Sequence, residues 1–166
     1  MESLDRREFL RMLGAAGAGA FLMTGPWLSA FAQVDKTTGE KVRIGIIGPG
    51  SRGRFLMNFI KNNPKAQMTA ICDIYQPSID EALKIVPDAK VYNDYRKLLE
   101  DKEIDAVVIA VPLDQHYHIA MDAFDAGKDV FCEKTICYDL WQCHDVYQKY
   151  NAGNNIFFVG QQRLFD

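Results

Sequence analysis

Six consecutive residues, Gly48-Pro49-Gly50-Ser51-Arg52-Gly53, carry the spacing G-x-G-x-x-G. This spacing recognises phosphate largely through the main chain. Gly48 permits a tight turn, and Gly50 leaves bare backbone for a pyrophosphate. Gly53 lets the following helix pack closely on a strand, so that the helix-opening amides from Ser51 onward face the phosphates. Asp73 lies twenty residues beyond Gly53. There its carboxylate accepts hydrogen bonds from the hydroxyls of an adenosine ribose. It would also repel a 2′-phosphate, so the pair predicts a dinucleotide site that takes NAD in preference to NADP. Arg52 and Arg54 read either as phosphate contacts or as solvated surface charge.

A second set of reactive residues lies further along. Glu133-Lys134 stands just past a predicted strand, at the edge where doubly wound sheets place their ligands. A lysine partly buried there is suited to proton transfer. The same two residues also read as a charged pair on a loop. His116, four residues after Pro112, opens a predicted helix; it is either a ligand-facing residue or one that caps and packs. His118 and His144 read as surface or packing residues. The four cysteines, at 72, 132, 137 and 143, have neither C-x-x-C spacing nor paired histidines, so no metal is expected. A Cys137–Cys143 disulfide is compatible with an exported protein, but nothing in the sequence requires it.

The elements that must position these residues follow from hydrophobic periodicity. Short apolar runs at 42–47, 68–72, 90–92, 104–111, 129–132 and 156–159 read as strands. Between them, helical spacing marks Phe55–Ile60, Ile79–Val86, Tyr95–Leu99, His116–Ala126 and Leu140–Tyr150, with Gly127 as the expected residue after a helix end. Six strands alternating with helices predict an α/β fold, a Rossmann-type doubly wound parallel sheet, over residues 42–166.

Residues 1–32 read as a separate segment. Asp5-Arg6-Arg7-Glu8-Phe9-Leu10, an Ala/Gly-rich apolar run from Leu13 to Met23 and the end Leu28-Ser29-Ala30-Phe31-Ala32 have the layout of a secretory signal. The paired arginines resemble the twin-arginine class, which exports folded proteins. The expectation is a periplasmic or exported protein handled by export machinery, with cleavage after Ala32 and a linker over 33–41. A net charge of −3 without a basic stripe argues against a nucleic-acid partner.

Four motifs in order carry a resemblance to a known family. Gly48–Gly53 comes first, then Val111-Pro112-Leu113-Asp114-Gln115-His116. Ala126-Gly127-Lys128-Asp129-Val130-Phe131-Cys132-Glu133-Lys134 follows, and Val159-Gly160-Gln161-Gln162-Arg163-Leu164-Phe165-Asp166 is last. Together they resemble the Gfo/Idh/MocA oxidoreductases, across Val42 to Asp166. The resemblance implies hydride transfer between a nicotinamide cofactor and a sugar or polyol-like small molecule, with Lys134 beside the substrate hydroxyl. It implies that Glu133 supports the nicotinamide side, and that Pro112, His116 and Arg163 lie near the cofactor. Thr135 departs from the family, which carries a proline there that shapes the turn holding the lysine.

Members of that family continue into a second α/β domain, which supplies substrate contacts, further catalytic groups and the subunit interface. The expectation is therefore an N-terminal piece that is inactive alone and forms a homo-oligomer only with the second domain present. Three functions stay open: a dehydrogenase, a relative that uses NAD transiently to cleave glycosides, and a non-catalytic NAD-binding module.

Overall fold

The computed structural model describes residues 41–161. Residues 1–40, which include the predicted signal, and Arg163 lie outside the described residues. Six strands form one sheet: β1 (Val42–Ile47), β2 (Ala66–Cys72), β3 (Lys90–Tyr92), β4 (Ala106–Ile109), β5 (Asp129–Glu133) and β6 (Phe157–Gly160). Five helices connect them: α1 (Ser51–Lys61), α2 (Gln76–Leu83), α3 (Tyr95–Glu100), α4 (Leu113–Asp125) and α5 (Leu140–Ala152).

The strand order is β3-β2-β1-β4-β5-β6, and every pairing is parallel. The strands are apolar on both faces because helices cover both faces. Ile44, Ile46, Ile71, Val108 and Phe131 pack against Leu56, Met57 and Ile60 of α1 and Ile79 of α2. Ile47, Val107, Ile109 and Val130 point the other way, onto Leu98 of α3, Ile119 and Phe124 of α4 and Val146 of α5. The order reverses between β1 and β4. The crevice at their carboxyl ends is where such sheets bind ligands.

Element types match the sequence expectation, and the differences lie at boundaries. Helix α4 begins at Leu113, not His116, because Pro112 supplies its N-cap residue at φ −55°. Pro112 lacks an N–H and has a fixed φ, so it sits at the helix start without forfeiting an intrahelical bond, one turn ahead of His116. Strand β5 extends through Glu133, so this carboxylate lies on the sheet and not on a loop.

Lys128 of the A-G-K stretch belongs to this framework. It is buried, and its ammonium donates to the carbonyls of Asp101 (2.7 Å) and Ile104 (2.8 Å) beyond the end of α3. Burial lowers its pKa. The preceding Gly127 takes φ +70°, which releases the chain from α4 into β5.

Candidate functional site

The glycine motif sits at the carboxyl end of β1. Gly48 adopts φ +84°, a left-handed conformation that favours glycine. Its amide donates to Cys72 O at 2.9 Å, and Ala110 N donates to Ile47 O at 2.9 Å, which joins the ends of β2, β1 and β4. Gly53 brings α1 against this turn: a Cβ there would stand 2.3 Å from Gly48 O. Gly50 differs, because a Cβ at this position would meet nothing within 4 Å. Gly50 is the N-cap of α1 and provides no side-chain cap. The first amides of that helix, Ser51 and Arg52 included, therefore open onto the crevice with the positive end of the helix dipole behind them. A space that a side chain would enter, beside uncapped amides, fits the pyrophosphate of a dinucleotide.

Asp73 follows β2 directly. Its Oδ1 accepts from Tyr75 N at 3.0 Å, and its own amide donates to Tyr92 O at 3.2 Å. Among the described residues, Oδ2 makes no hydrogen bond, which leaves it available to a ribose. Ile74 is 90% exposed and Tyr75 is 63% exposed. This apolar surface beside the carboxylate did not figure in the sequence reading. Its signal was an apolar pair placed immediately after a strand-ending acid.

The two arginines are both engaged, so neither is simply solvated charge. Arg52 places Nε and Nη2 each 2.7 Å from Oε1 of Glu133, and its guanidinium lies 4.8 Å from the ring centre of Phe55. Arg54 donates to Pro49 O at 2.9 Å, bracing the turn that precedes its own helix. The Arg52–Glu133 pair joins residues 81 apart in the chain. Glu133 is buried at the end of β5 and also abuts Gly160 of β6, where a Cβ would meet Oε1 at 3.2 Å.

His116 is buried inside the first turns of α4. Its Nδ1 lies 2.9 Å from Thr135 O and its Nε2 lies 2.9 Å from Val111 O. The ring thereby spans the loops leaving β5 and β4, so its packing role is real and it also borders the crevice. Thr135, the departure from the family pattern, is held through this carbonyl. The Lys134–Thr135 peptide is cis.

A cleft of about 200 Å³ brings together Arg52, Ala110, Val111, Leu113, His116, Glu133 and Lys134. Four of the sequence-predicted site residues thus share one space. Pro112 borders it in sequence but is exposed. Asp73 and Gly50 lie along the crevice on the β1–β2 side. The expected partial burial of Lys134 is not found: the side chain is exposed, because β5 ends at Glu133 and no element of residues 41–161 covers the residue after it. Among the described residues, no group of three or more His, Cys, Asp or Glu is placed to hold a metal ion. No helix among them is long and apolar enough to cross a membrane.

Comparison with known proteins agrees with this fold. The family described as "Oxidoreductase family, NAD-binding Rossmann fold" matches residues 42–161. A glycosyl hydrolase family 109 protein of Parabacteroides distasonis is 36% identical over 160 residues, covering 85% of this chain and 34% of that protein. An inositol 2-dehydrogenase of Salmonella typhimurium is 31% identical over 128 residues, covering 75% of this chain and 38% of its own. The structure of a myo-inositol dehydrogenase from Lactobacillus casei, in complex with NAD(H) and myo-inositol, superposes with a TM-score of 0.71. It shows 29% identity and covers 76% of this chain and 38% of that one. The chain spans about a third of the length of the curated relatives it matches.

Proposed function

Because this chain belongs to the oxidoreductase family with an NAD-binding Rossmann fold, we propose that it is the cofactor-holding part of a dehydrogenase acting on a sugar or polyol. The observation that carries the reading is Gly50, whose missing side chain opens a space at the uncapped start of α1. The amides of Ser51 and Arg52 would hold the pyrophosphate there, while Gly48 and Gly53 hold turn and helix in place. Asp73 would accept from the ribose hydroxyls through the oxygen not used by Tyr75, and Ile74 would offer the adenine an apolar surface.

When bound, NAD supplies a hydride acceptor or donor. The remaining steps fall to this chain's own residues. Glu133, fixed by Arg52, would support the nicotinamide side of the cleft that His116 also lines, with Pro112 next to it in sequence. Lys134 Nζ takes or returns the proton of the substrate hydroxyl. Arg163 is assigned to the same neighbourhood by its motif. Substrate contacts and any subunit interface belong to the longer protein; the relatives' additional length supports that division. The paired arginines at 6 and 7 and the small residues before Gln33 support export through the twin-arginine route, with cleavage after Ala32 and a periplasmic location.

A second reading, NAD-dependent glycoside cleavage, draws on the 36% identity to a glycosyl hydrolase family 109 protein. Release of a glycoside's leaving group without net NADH would favour it over the dehydrogenase. For the primary reading, the direct test is titration of this chain with NAD and NADP, alongside Asp73→Ser. The unsubstituted chain should bind NAD more tightly than NADP, and Asp73→Ser should weaken NAD binding and narrow that preference. Unchanged dissociation constants for both cofactors would remove Asp73 from the site.

A further inference from the structure

Away from the dinucleotide crevice, a second cleft of about 230 Å³ is lined by Cys137, Cys143 and the apolar or aromatic side chains of Ile136, Val146, Tyr147 and Phe157, among others. It lies between the loop that leaves Lys134, the first turns of α5, and β6. Two of its walls are cysteines with opposite exposure. Cys137 is buried at 7% exposed, while Cys143 is exposed. Both line this one cleft, six residues apart in the chain. Both are free thiols.

We propose that Cys137 and Cys143 are a redox pair that closes into a disulfide, stapling the loop after Lys134 to the start of helix α5. Four features support this. The two residues face one cleft of about 230 Å³, which leaves room for their sulfurs to move together. One partner is reachable from solvent, and the other is screened from competing thiols. Both sit on backbone held from either side: Asp139 and Gln142 cap α5 reciprocally, and Thr135 O is held by His116 at 2.9 Å. Burial, then its neighbour Cys143, pushes the Cys137 thiol up to about 12. Cys143 is exposed and Cys137 buried, so Cys143 is the sulfur a dissolved disulfide reaches first.

The chemistry is thiol–disulfide exchange with a low-molecular-weight disulfide. The Cys143 thiolate attacks one sulfur of that disulfide, breaks its S–S bond and releases one thiolate. Cys137 then loses its proton to solvent and attacks Cys143 Sγ, displacing the second thiolate. Two cysteine thiols have given up two electrons and two protons, and the small disulfide has become two thiols. The remaining cysteines stay out of this exchange. Cys72 and Cys132 are buried in β2 and β5, and burial raises both their pKa values. They serve as internal controls.

The test incubates the 166-residue chain with glutathione disulfide, or with excess dithiothreitol, then alkylates it and maps peptides by mass. In the oxidised sample, the peptide holding both cysteines should be two hydrogens lighter and carry no alkyl group. The reduced sample should take up label at Cys143 under native conditions. The oxidised chain should melt roughly 5–10 °C above the reduced chain, as a short closed loop predicts. Cys143→Ser, a small change at an exposed position, should abolish that difference while melting close to the reduced chain. Three results would overturn the proposal: glutathione retained on Cys143 as a stable mixed disulfide, a dimer linked through Cys143, or both thiols alkylated after oxidation.

Discussion

Gly50 and Gly53 are three residues apart in one motif, yet the structure assigns them opposite tasks that a pair of alanine substitutions separates. At Gly53 a Cβ would lie 2.3 Å from Gly48 O, so the gap must open by at least 0.7 Å to reach the 3.0 Å below which real Cβ contacts are essentially absent. Gly48 cannot yield easily, since its amide is tied to Cys72 O. Overpacking of this kind costs about 1–3 kcal/mol. The midpoint of Gly53→Ala should therefore fall by roughly 5–10 °C in calorimetry. At Gly50 the backbone is already in an ordinary region, φ −65° and ψ −163°, and the added methyl meets no protein atom. Alanine is a poorer N-cap than glycine but restricts the unfolded chain, and these effects offset to within about 1 kcal/mol. Gly50→Ala should thus melt near wild type. Its methyl occupies the space assigned to the pyrophosphate, so NAD should bind at least about tenfold more weakly by titration calorimetry, a loss of about 1.4 kcal/mol. Wild-type NAD affinity in Gly50→Ala would refute the cradle, and a wild-type midpoint in Gly53→Ala would refute the close approach of α1.

Other perturbations probe the rest of the crevice. Replacing His116 with alanine removes the partner of two loop carbonyls and should cost about 1–3 kcal/mol, read as a lower denaturant midpoint; a variant as stable as wild type would show that the ring bridges nothing. Arg52→Ala leaves Glu133 buried without its partner, and with the arginine 30% exposed the cost should be about 1–2 kcal/mol. Lys134→Ala should leave the melting midpoint unchanged, because its side chain is exposed, yet abolish turnover in the longer enzyme; retained turnover would remove Lys134 from catalysis. Asp101 bears on acid stability. Hydrogen bonds from the Glu103 amide and Tyr92, followed by Lys90, hold its carboxyl at about 2 instead of 3.8. The folded form is thus the stronger acid. Its stabilisation, about 1 kcal/mol after solvent screening, is present above pH 3.8 and lost as pH falls to about 2. Asp101→Asn should flatten that limb in acid titrations followed by circular dichroism.

The fold was legible because burial on both faces of a parallel sheet leaves an unusually clear mark, with apolar runs at regular intervals separated by helical spacing. The turn that carries the glycines was legible for a related reason: Gly48 at φ +84° and Gly53 close to Gly48 O are backbone requirements, and the backbone follows from local sequence. Less legible were contacts made between distant segments. Nothing local tells Arg52 that its partner is Glu133, and the two readings of each residue stayed open until β5 was seen to run through the glutamate. His116 offered two readings as well, and the structure supports parts of both, since the ring packs and borders the cleft. Lys134 ran the other way. Its burial was expected from its place past a strand, but residues 41–161 supply no covering element. Helix α4 began early because a proline outweighed the apolar periodicity used to place its start.

The out-of-sequence placing of β4 beside β1 constrains how the molecule comes together. Strand β1 can pair with β2 as soon as the chain reaches Cys72, since Val42 meets Ala66 and Ile47 meets Cys72. Ile44, however, must wait for Ala106, and Arg52 must wait for Glu133. Such long loop closures are slow relative to local steps. A nascent chain that already holds the whole glycine motif therefore lacks the far wall of the crevice, and intermediates lacking β4 and β5 should bind NAD poorly. Ligand affinity is then concentrated in the finished sheet, where a hundredfold excess of NAD over its dissociation constant adds about 2.7 kcal/mol to global stability. The cofactor would act as a late selector of completed molecules and leave the early folding steps to the chain itself.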